Sequence, residues 1–301
     1  MNPGTDPQPT RPSWCQVSIQ FDDYSAAEHT GVAHLGPQMA SAEMAGLIVS
    51  WFFIRKALCW RLRFLPSGDR TEQDATMFIH QRLEVLQDAG HIASWVETIY
   101  EPETYAFGGA AAIDLAHHLF HADSRHVLAY LASLCATSAE GGSDQRRELS
   151  ILLCSILMRG AGQDWYEQGD IWARVAKSRS LPPDTPPDRL RALESDLRRL
   201  MTVDGGSDAS TASWPSSPAP AGGPASPLMK ENGPLALLSD WAAAFEEAGK
   251  ALGDLAGNGT LCRGVRAVLA HHVIFHWNRI GLPYATQRIL ANVAEAVVLG
   301  Q

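Results

Sequence analysis

Alternating apolar and polar residues occur only in the first third of this chain, and that confines any sheet to roughly the first hundred of its 301 positions. In "WCQVSIQF" (14–21), Cys15, Val17, Ile19 and Phe21 alternate with polar partners, the period of a strand. "WFFIRKALCWRLRF" (51–64) is strand-like as well, with Trp60, Leu62 and Phe64 on one face and Arg61 and Arg63 on the other. "IASWVETIYEP" (92–102) alternates again. The intervening segments 25–34, 39–50 and 71–89 have helical spacing, the last through Met77, Ile79, Leu83, Val85 and Leu86. Further on, helices are expected over 110–137, 147–162, 188–201, 235–256, 262–280 and 284–298. A break is expected near Asp123–Ser124, where either residue can cap a new turn. Strands first and helices afterwards predict an α+β fold: an antiparallel sheet from the N-terminal third packed with many helices in a single domain.

Two segments fall outside that pattern. Residues 1–13 are polar and proline-rich and read as a flexible tail without the apolar core of a secretory signal. Residues 202–234 are rich in Ser, Gly, Pro and Ala and bury too little apolar area to offset the entropy of ordering, so a disordered loop is expected there. One catalytic domain then comprises 14–201 and 235–301. The apolar stretch 45–60 is interrupted by Arg55 and Lys56 and is too short to span a bilayer. A net charge of −9 gives no basic footprint for nucleic acid. Five cysteines without a CxxC pair predict a reduced, cytoplasmic protein.

Arg61 and Arg63 repel each other unless water, a carboxylate or a bound anion lies between them. A solvated strand face is the simplest reading of that pair alone. Two histidine clusters, His117/His118/His121/His126 and His271/His272/His276, contain pairs four apart that share a helical face. No HExxH glutamate or suitably spaced cysteine accompanies them, so no metal is expected. "YEPETYAFGG" (100–109) gathers Glu101, Glu103, Tyr100 and Tyr105 beside Gly108 and Gly109, as site-forming loops do, although an ordinary acidic turn reads the same way. It lacks the lysine of a phosphate loop and the GxGxxG spacing, and GxSxG is absent from the chain. "HWNRIGLPYATQR" (276–288) brings His276, Asn278, Arg279 and Tyr284 to a helix end. A histidine there can exchange protons near neutrality, a tyrosine can donate to an oxyanion, and Arg or Asn can orient an amide.

The order of these pieces carries a resemblance. The W-x-x-x-x-I strand, "FFIRK…RLRF", "YEPE-x-Y-x-x-GG", "LFHADS" and the late H-x-N-R-x-G helix together resemble the glutamate-elimination domain of class I lantibiotic dehydratases, also called the thiopeptide-type bacteriocin biosynthesis domain. The upstream portion that glutamylates Ser and Thr is not seen, so a stand-alone domain is expected. In the eliminating branch, strand arginines, a Glu and an Arg of a PE-x-x-R-x-GG loop, and a late His remove glutamate to leave dehydroalanine. Arg61 and Arg63 match the strand arginines, Glu103 the loop Glu and His276 the late His, whereas Ala106 stands where the loop arginine would be. A departing glutamate dianion needs that bidentate partner.

The family also includes thiopeptide pyridine synthases, which join two dehydroalanines of a precursor peptide by a formal aza-[4+2] cycloaddition, then lose water and the leader peptide. The missing arginine favours this cofactor-independent macrocyclase; a glutamate-eliminating lyase is the alternative, and a peptide-binding partner without catalysis a third reading. The resemblance implies Glu103, His276, Tyr105 and Tyr284 as proton-handling residues. Arg61, Arg63, Asn278 and Arg279 would bind substrate or leader, and Trp60 and Trp277 would wall the azole-bearing peptide. The implied partner is a leader-bearing precursor with dehydroalanines and azoles. No cofactor, nucleic acid or membrane is implied, and a homodimer is allowed.

Overall fold

The computed structural model describes residues 13–56, 58–137, 144–179, 187–202 and 238–300. The expected tail 1–13, except Ser13, and the expected loop 202–234, except Thr202, lie outside the described residues. Four strands, β1 (Cys15–Gln20), β2 (Ile48–Lys56), β3 (Cys59–Pro66) and β4 (Ser94–Thr98), form one antiparallel sheet in the order β2-β3-β1-β4. The fold is the α+β arrangement predicted above. The stretch 51–64 differs from expectation in one respect: it is a hairpin of two strands, reversing around Leu58, which holds a φ of 68°.

Register lines the apolar residues up across the strands, with Val17 opposite Leu62, Ile19 opposite Trp60 and Trp51 opposite Phe64, all of them buried. Trp60 stacks on Phe53 at 4.6 Å between ring centroids. Helical backbone covers this face, passing from a 3-10 turn (Tyr24–Ala26) through α1 (Ala27–Thr30) and a π stretch (Gly31–Leu35) into α2 (Gly36–Met44). Gly31 lies where the Trp60 ring presses, and a Cβ there would come within 2.6 Å of two ring carbons. The second predicted helix stops at Met44 rather than residue 50, because β2 begins at Ile48. α3 (Asp69–Asp88) buries Ile79, Leu83 and Leu86, but Met77 and Val85 face outward and are half exposed.

A sheet edge leaves backbone donors without ladder partners. Along β2, α4 (Ala110–Thr137) supplies them: Phe53 N–H donates to Ser124 Oγ (3.2 Å) and Trp51 N–H to His121 Nδ1 (3.2 Å). The break expected at Asp123–Ser124 is therefore absent. Both residues are fully buried within a continuous helix, and Ser124 serves the sheet instead of a helix cap.

The described chain forms two compact units, one of residues up to Pro102 with Phe120–Asp144, the other of Glu103–Leu119 with the residues from Gln145 onward. The second is helical: α5 (Arg146–Gly160), α6 (Trp165–Ser178), α7 (Pro187–Met201), α8 (Ser239–Gly257), α9 (Val265–Ile280) and α10 (Tyr284–Leu299). Every residue of α5 from Leu149 to Met158 is buried, as in a helix surrounded by others. α6 was not anticipated. Its start is nevertheless written in the sequence as a capping box, since Asp164 accepts from Glu167 N–H (2.8 Å) and Glu167 accepts from Asp164 N–H (3.0 Å). No helix among the described residues is long and apolar enough to cross a membrane.

α5 and α8 approach closely enough that backbone meets backbone. A Cβ on Gly249 would run into the Leu157 carbonyl oxygen and lie 3.0 Å from Gly160 Cα. Gly249→Ala is expected to separate these helices at a cost of about 1–3 kcal/mol, the usual penalty of overpacking, read as a lower midpoint in urea unfolding.

Candidate active site

The loop from Glu103 to Gly109 is closed by its own backbone. Phe107 N–H donates to Glu103 O (3.1 Å), Gly108 N–H to Tyr105 O (3.1 Å) and Gly109 N–H to Thr104 O (2.9 Å). Gly108 and Gly109 have φ of 96° and 111°, a region costly to side chains, so the paired glycines are required by the turn itself. The segment before α9 fastens the loop: Cys262 N–H donates to Gly108 O (2.9 Å) and Arg263 Nη1 to Ala106 O (2.9 Å). Phe107 is buried and wedges edge-on against His271, His272 and Phe275 of α9, with centroid distances of 4.9, 4.9 and 5.0 Å.

This fastening brings Glu103 to His271. Glu103 Oε2 lies 2.8 Å from His271 Nε2, with the Glu103 side chain 52% exposed and the His271 side chain 23% exposed. A carboxylate is acceptor-only, so Nε2 carries the hydrogen and donates. The ring is held between Phe107 and Phe275, the latter tilted against it at 5.0 Å. Tyr105, on the same loop, is 71% exposed.

His276 points elsewhere. It is buried, edge-on to Phe245 (5.0 Å) and Trp241 (6.1 Å) of α8, in the core of the second unit. Five residues separate it from His271, which is about 140° around a helix, so the two histidines occupy different faces. Trp277 is fully buried and stacks on Trp172 (6.0 Å), and Arg279 is buried too. Asn278 accepts from Gln287 Nε2 (3.1 Å). Tyr284, at the start of α10, is exposed, with the Arg179 guanidinium 5.1 Å and that of Arg288 5.7 Å from its ring centroid. Burial holds the Arg179 guanidinium below its ordinary value, partly offset by the Tyr284 oxygen.

In the first unit, Trp60 belongs to the sheet core, and the two strand arginines part ways. Arg63 is buried, donates through Nε to Gln16 Oε1 (2.6 Å) and lies over Tyr100 (4.2 Å) and Phe52 (5.2 Å). Gln16 in turn donates to Thr98 Oγ1 (2.8 Å) and Ile99 O (3.2 Å). The solvated-face reading thus fails for Arg63, which sits in a box of aromatic rings. Arg61 is half-buried and has no ion pair among the described residues. Among those residues, no group of three or more His, Cys, Asp and Glu is placed to hold a metal.

Two residues that contact the loop carry no clear signal in the sequence, His271 and Arg263. The first was visible only as one half of an HH pair whose partner had the better helical spacing; the second sits in a loop with no motif.

The chain belongs to the lantibiotic biosynthesis dehydratase C-terminal family, whose model matches residues 14–298. Among solved structures, the tRNA-dependent lantibiotic dehydratase MibB from Microbispora sp. 107891 is similar with a TM-score of 0.63 and 17% identity, over 99% of this chain and 29% of that one. The chain thus spans under a third of MibB. TsrL is similar with a TM-score of 0.58 and 15% identity, covering 95% of this chain and 97% of that one. The pyridine synthase TbtD from thiomuracin biosynthesis follows, with a TM-score of 0.56 and 12% identity over 95% and 98% of the two chains. No curated protein sequence matches the chain.

Gly108 has both a left-handed φ and close neighbours at its back: a Cβ there would lie 3.0 Å from Leu261 Cδ2 and 3.1 Å from Val268 Cγ2. Gly108→Ala is expected to cost about 1–3 kcal/mol and to speed amide hydrogen exchange over 103–109, as mass spectrometry of exchanged peptides would show.

Proposed function

We propose that this protein is a thiopeptide pyridine synthase, joining two dehydroalanines of a leader-bearing precursor into a pyridine-centred macrocycle with loss of water and leader. The observation that carries this reading is Ala106. At the loop position where an eliminase of the resembled branch carries a guanidinium, this chain has a methyl group. Of the strand arginines, Arg63 is committed to Gln16 and two aromatic rings. Expelling a glutamate dianion calls for a bidentate cation, whereas a cycloaddition calls for folding the peptide and moving protons. The likeness of the fold to that of TbtD is compatible with the same reading, as the likeness to MibB is with the alternative. Tyr105, on the fastened loop, and the Glu103–His271 pair beside it would serve the reacting amide. Arg61, half-buried and without a carboxylate among the described residues, would hold the acidic or carbonyl-rich part of the precursor.

A second reading, glutamate elimination, is favoured by one contact. Arg263 reaches the loop from the opposite segment and places a guanidinium on the Ala106 carbonyl, next to the missing side chain.

Incubating the protein with a dehydroalanine-bearing precursor and, separately, with its glutamylated form distinguishes the two by mass spectrometry. The expected result is a macrocycle plus free leader from the first peptide and no change in the second. Clearance of glutamyl adducts without cyclisation would replace the synthase with the lyase. Arg61→Ala is expected to weaken precursor binding about tenfold while leaving turnover of saturating peptide within about twofold, measured by fluorescence anisotropy and single-turnover kinetics.

A further inference from the structure

We propose that His271 is the catalytic proton carrier of the site, working through Nδ1, with Glu103 as the residue that positions it. The proposal deepens the pyridine-synthase reading and rests on it for the substrate. Nothing in the sequence motifs points to His271; the geometry does. Three contacts fix the ring: the Glu103 carboxylate at Nε2 (2.8 Å), the Phe107 edge and the tilted Phe275 face. Because the carboxylate accepts from Nε2–H, the neutral imidazole keeps its lone pair on Nδ1. Nδ1 has no hydrogen-bond partner among the described residues, and the side chain is partly open to solvent. A carboxylate behind one nitrogen and an unengaged lone pair on the other is the arrangement by which an imidazole takes and returns a proton. His276, buried against Phe245 and Trp241, has no such opening.

The step assigned to His271 is tautomerisation of the reacting backbone amide. Nδ1 takes the amide N–H proton, the N–H electron pair becomes the C=N bond, and the imidazolium hands the same proton to the carbonyl oxygen. Charge and atoms balance within one amide, and no co-reactant is needed. The Glu103 carboxylate at Nε2 stabilises the transient imidazolium.

The test uses the full chain with both precursor peptides. His271→Ala and His271→Gln are expected to fold as the parent does and bind precursor with unchanged affinity, while turnover falls at least about 100-fold. Added imidazole should restore part of the turnover of His271→Ala, which repair of a merely structural defect would not do. Glu103→Gln should lower kcat with little change in KM, and His118→Ala, an exposed histidine of α4, should match the parent. Failure is separable from failure of the function. If the parent cyclises the precursor and His271→Ala does too at a similar rate, the proton-carrier role is overturned and the synthase stands. If the parent clears glutamate instead, the synthase falls, and loss or retention of that activity in His271→Ala decides the role of His271 in the same way. A parent that binds the precursor and converts neither form overturns both.

Discussion

The paired glycines at 108 and 109 are the constraint on which the site depends. Their left-handed backbone turns the loop so that the Gly108 carbonyl meets Cys262 N–H, the Ala106 carbonyl meets Arg263 and Phe107 enters the α9 surface. Each interaction is modest, roughly 0.5–1.5 kcal/mol for a typical hydrogen bond. Together they remove the freedom of a loop that would otherwise sample many conformations, and Glu103 is carried to a fixed place as a consequence. A residue with a Cβ at either glycine would set backbone strain of about 1–3 kcal/mol against those bonds. The close contacts behind Gly108 add steric conflict on top.

Arg61 and Arg63 show how two residues with the same chemistry and the same strand face acquire different roles. Burying a guanidinium is costly unless hydrogen bonds and π faces replace its water. Arg63 meets both conditions through Gln16, Tyr100 and Phe52, and Gln16 is itself anchored by Thr98 and Ile99 O. It therefore joins β1, β3 and the end of β4 as a piece of the first unit's architecture. Arg61 pairs across the strands with Ser18 and Ile54, neither of which can neutralise it, and its side chain stays partly open to solvent. The repulsion expected between two arginines two positions apart is relieved by this division: one charge lies in a nest of π density and the other stays near water.

The fold was largely legible, because periodicity reports burial. Ile19, Leu62 and Leu83 lie where their spacing put them, and the sheet, α3, α4 and the late helices follow. What escaped depends on tertiary partners. Ser124 looked like a cap because serine usually offers its hydroxyl locally, but here a strand edge claims it. The hairpin at Leu58 has no glycine or asparagine to announce it. The start of α6 is readable in its D-x-x-E spacing, although the apolar pattern that follows is interrupted by Gly169. Around the site, the Pro-Glu loop and its glycines were identifiable from composition, whereas the partner of Glu103 was not. Choosing between His271 and His276 requires knowing which face of α9 looks inward, and a helix with apolar residues on most sides gives no such indication.

The phase of α9 places the His271 ring beside Glu103 and that of His276 in the core. Residues 272, 273, 276 and 277 fall on buried positions, leaving 271, 275 and 278 along the less buried face. A side-chain hydrogen bond on such a face contributes roughly 0–1 kcal/mol to folding, since water competes for it and the side chains lose entropy in meeting. The backbone hydrogen bonds that close the glycine turn involve neither side chain, whereas Phe107 packs on the His271 ring as well as on His272 and Phe275. The turn is thus held by backbone atoms and by the packing of Phe107. The backbone bonds of the turn do not depend on the imidazole, whereas a Cβ at Gly108 opposes them directly.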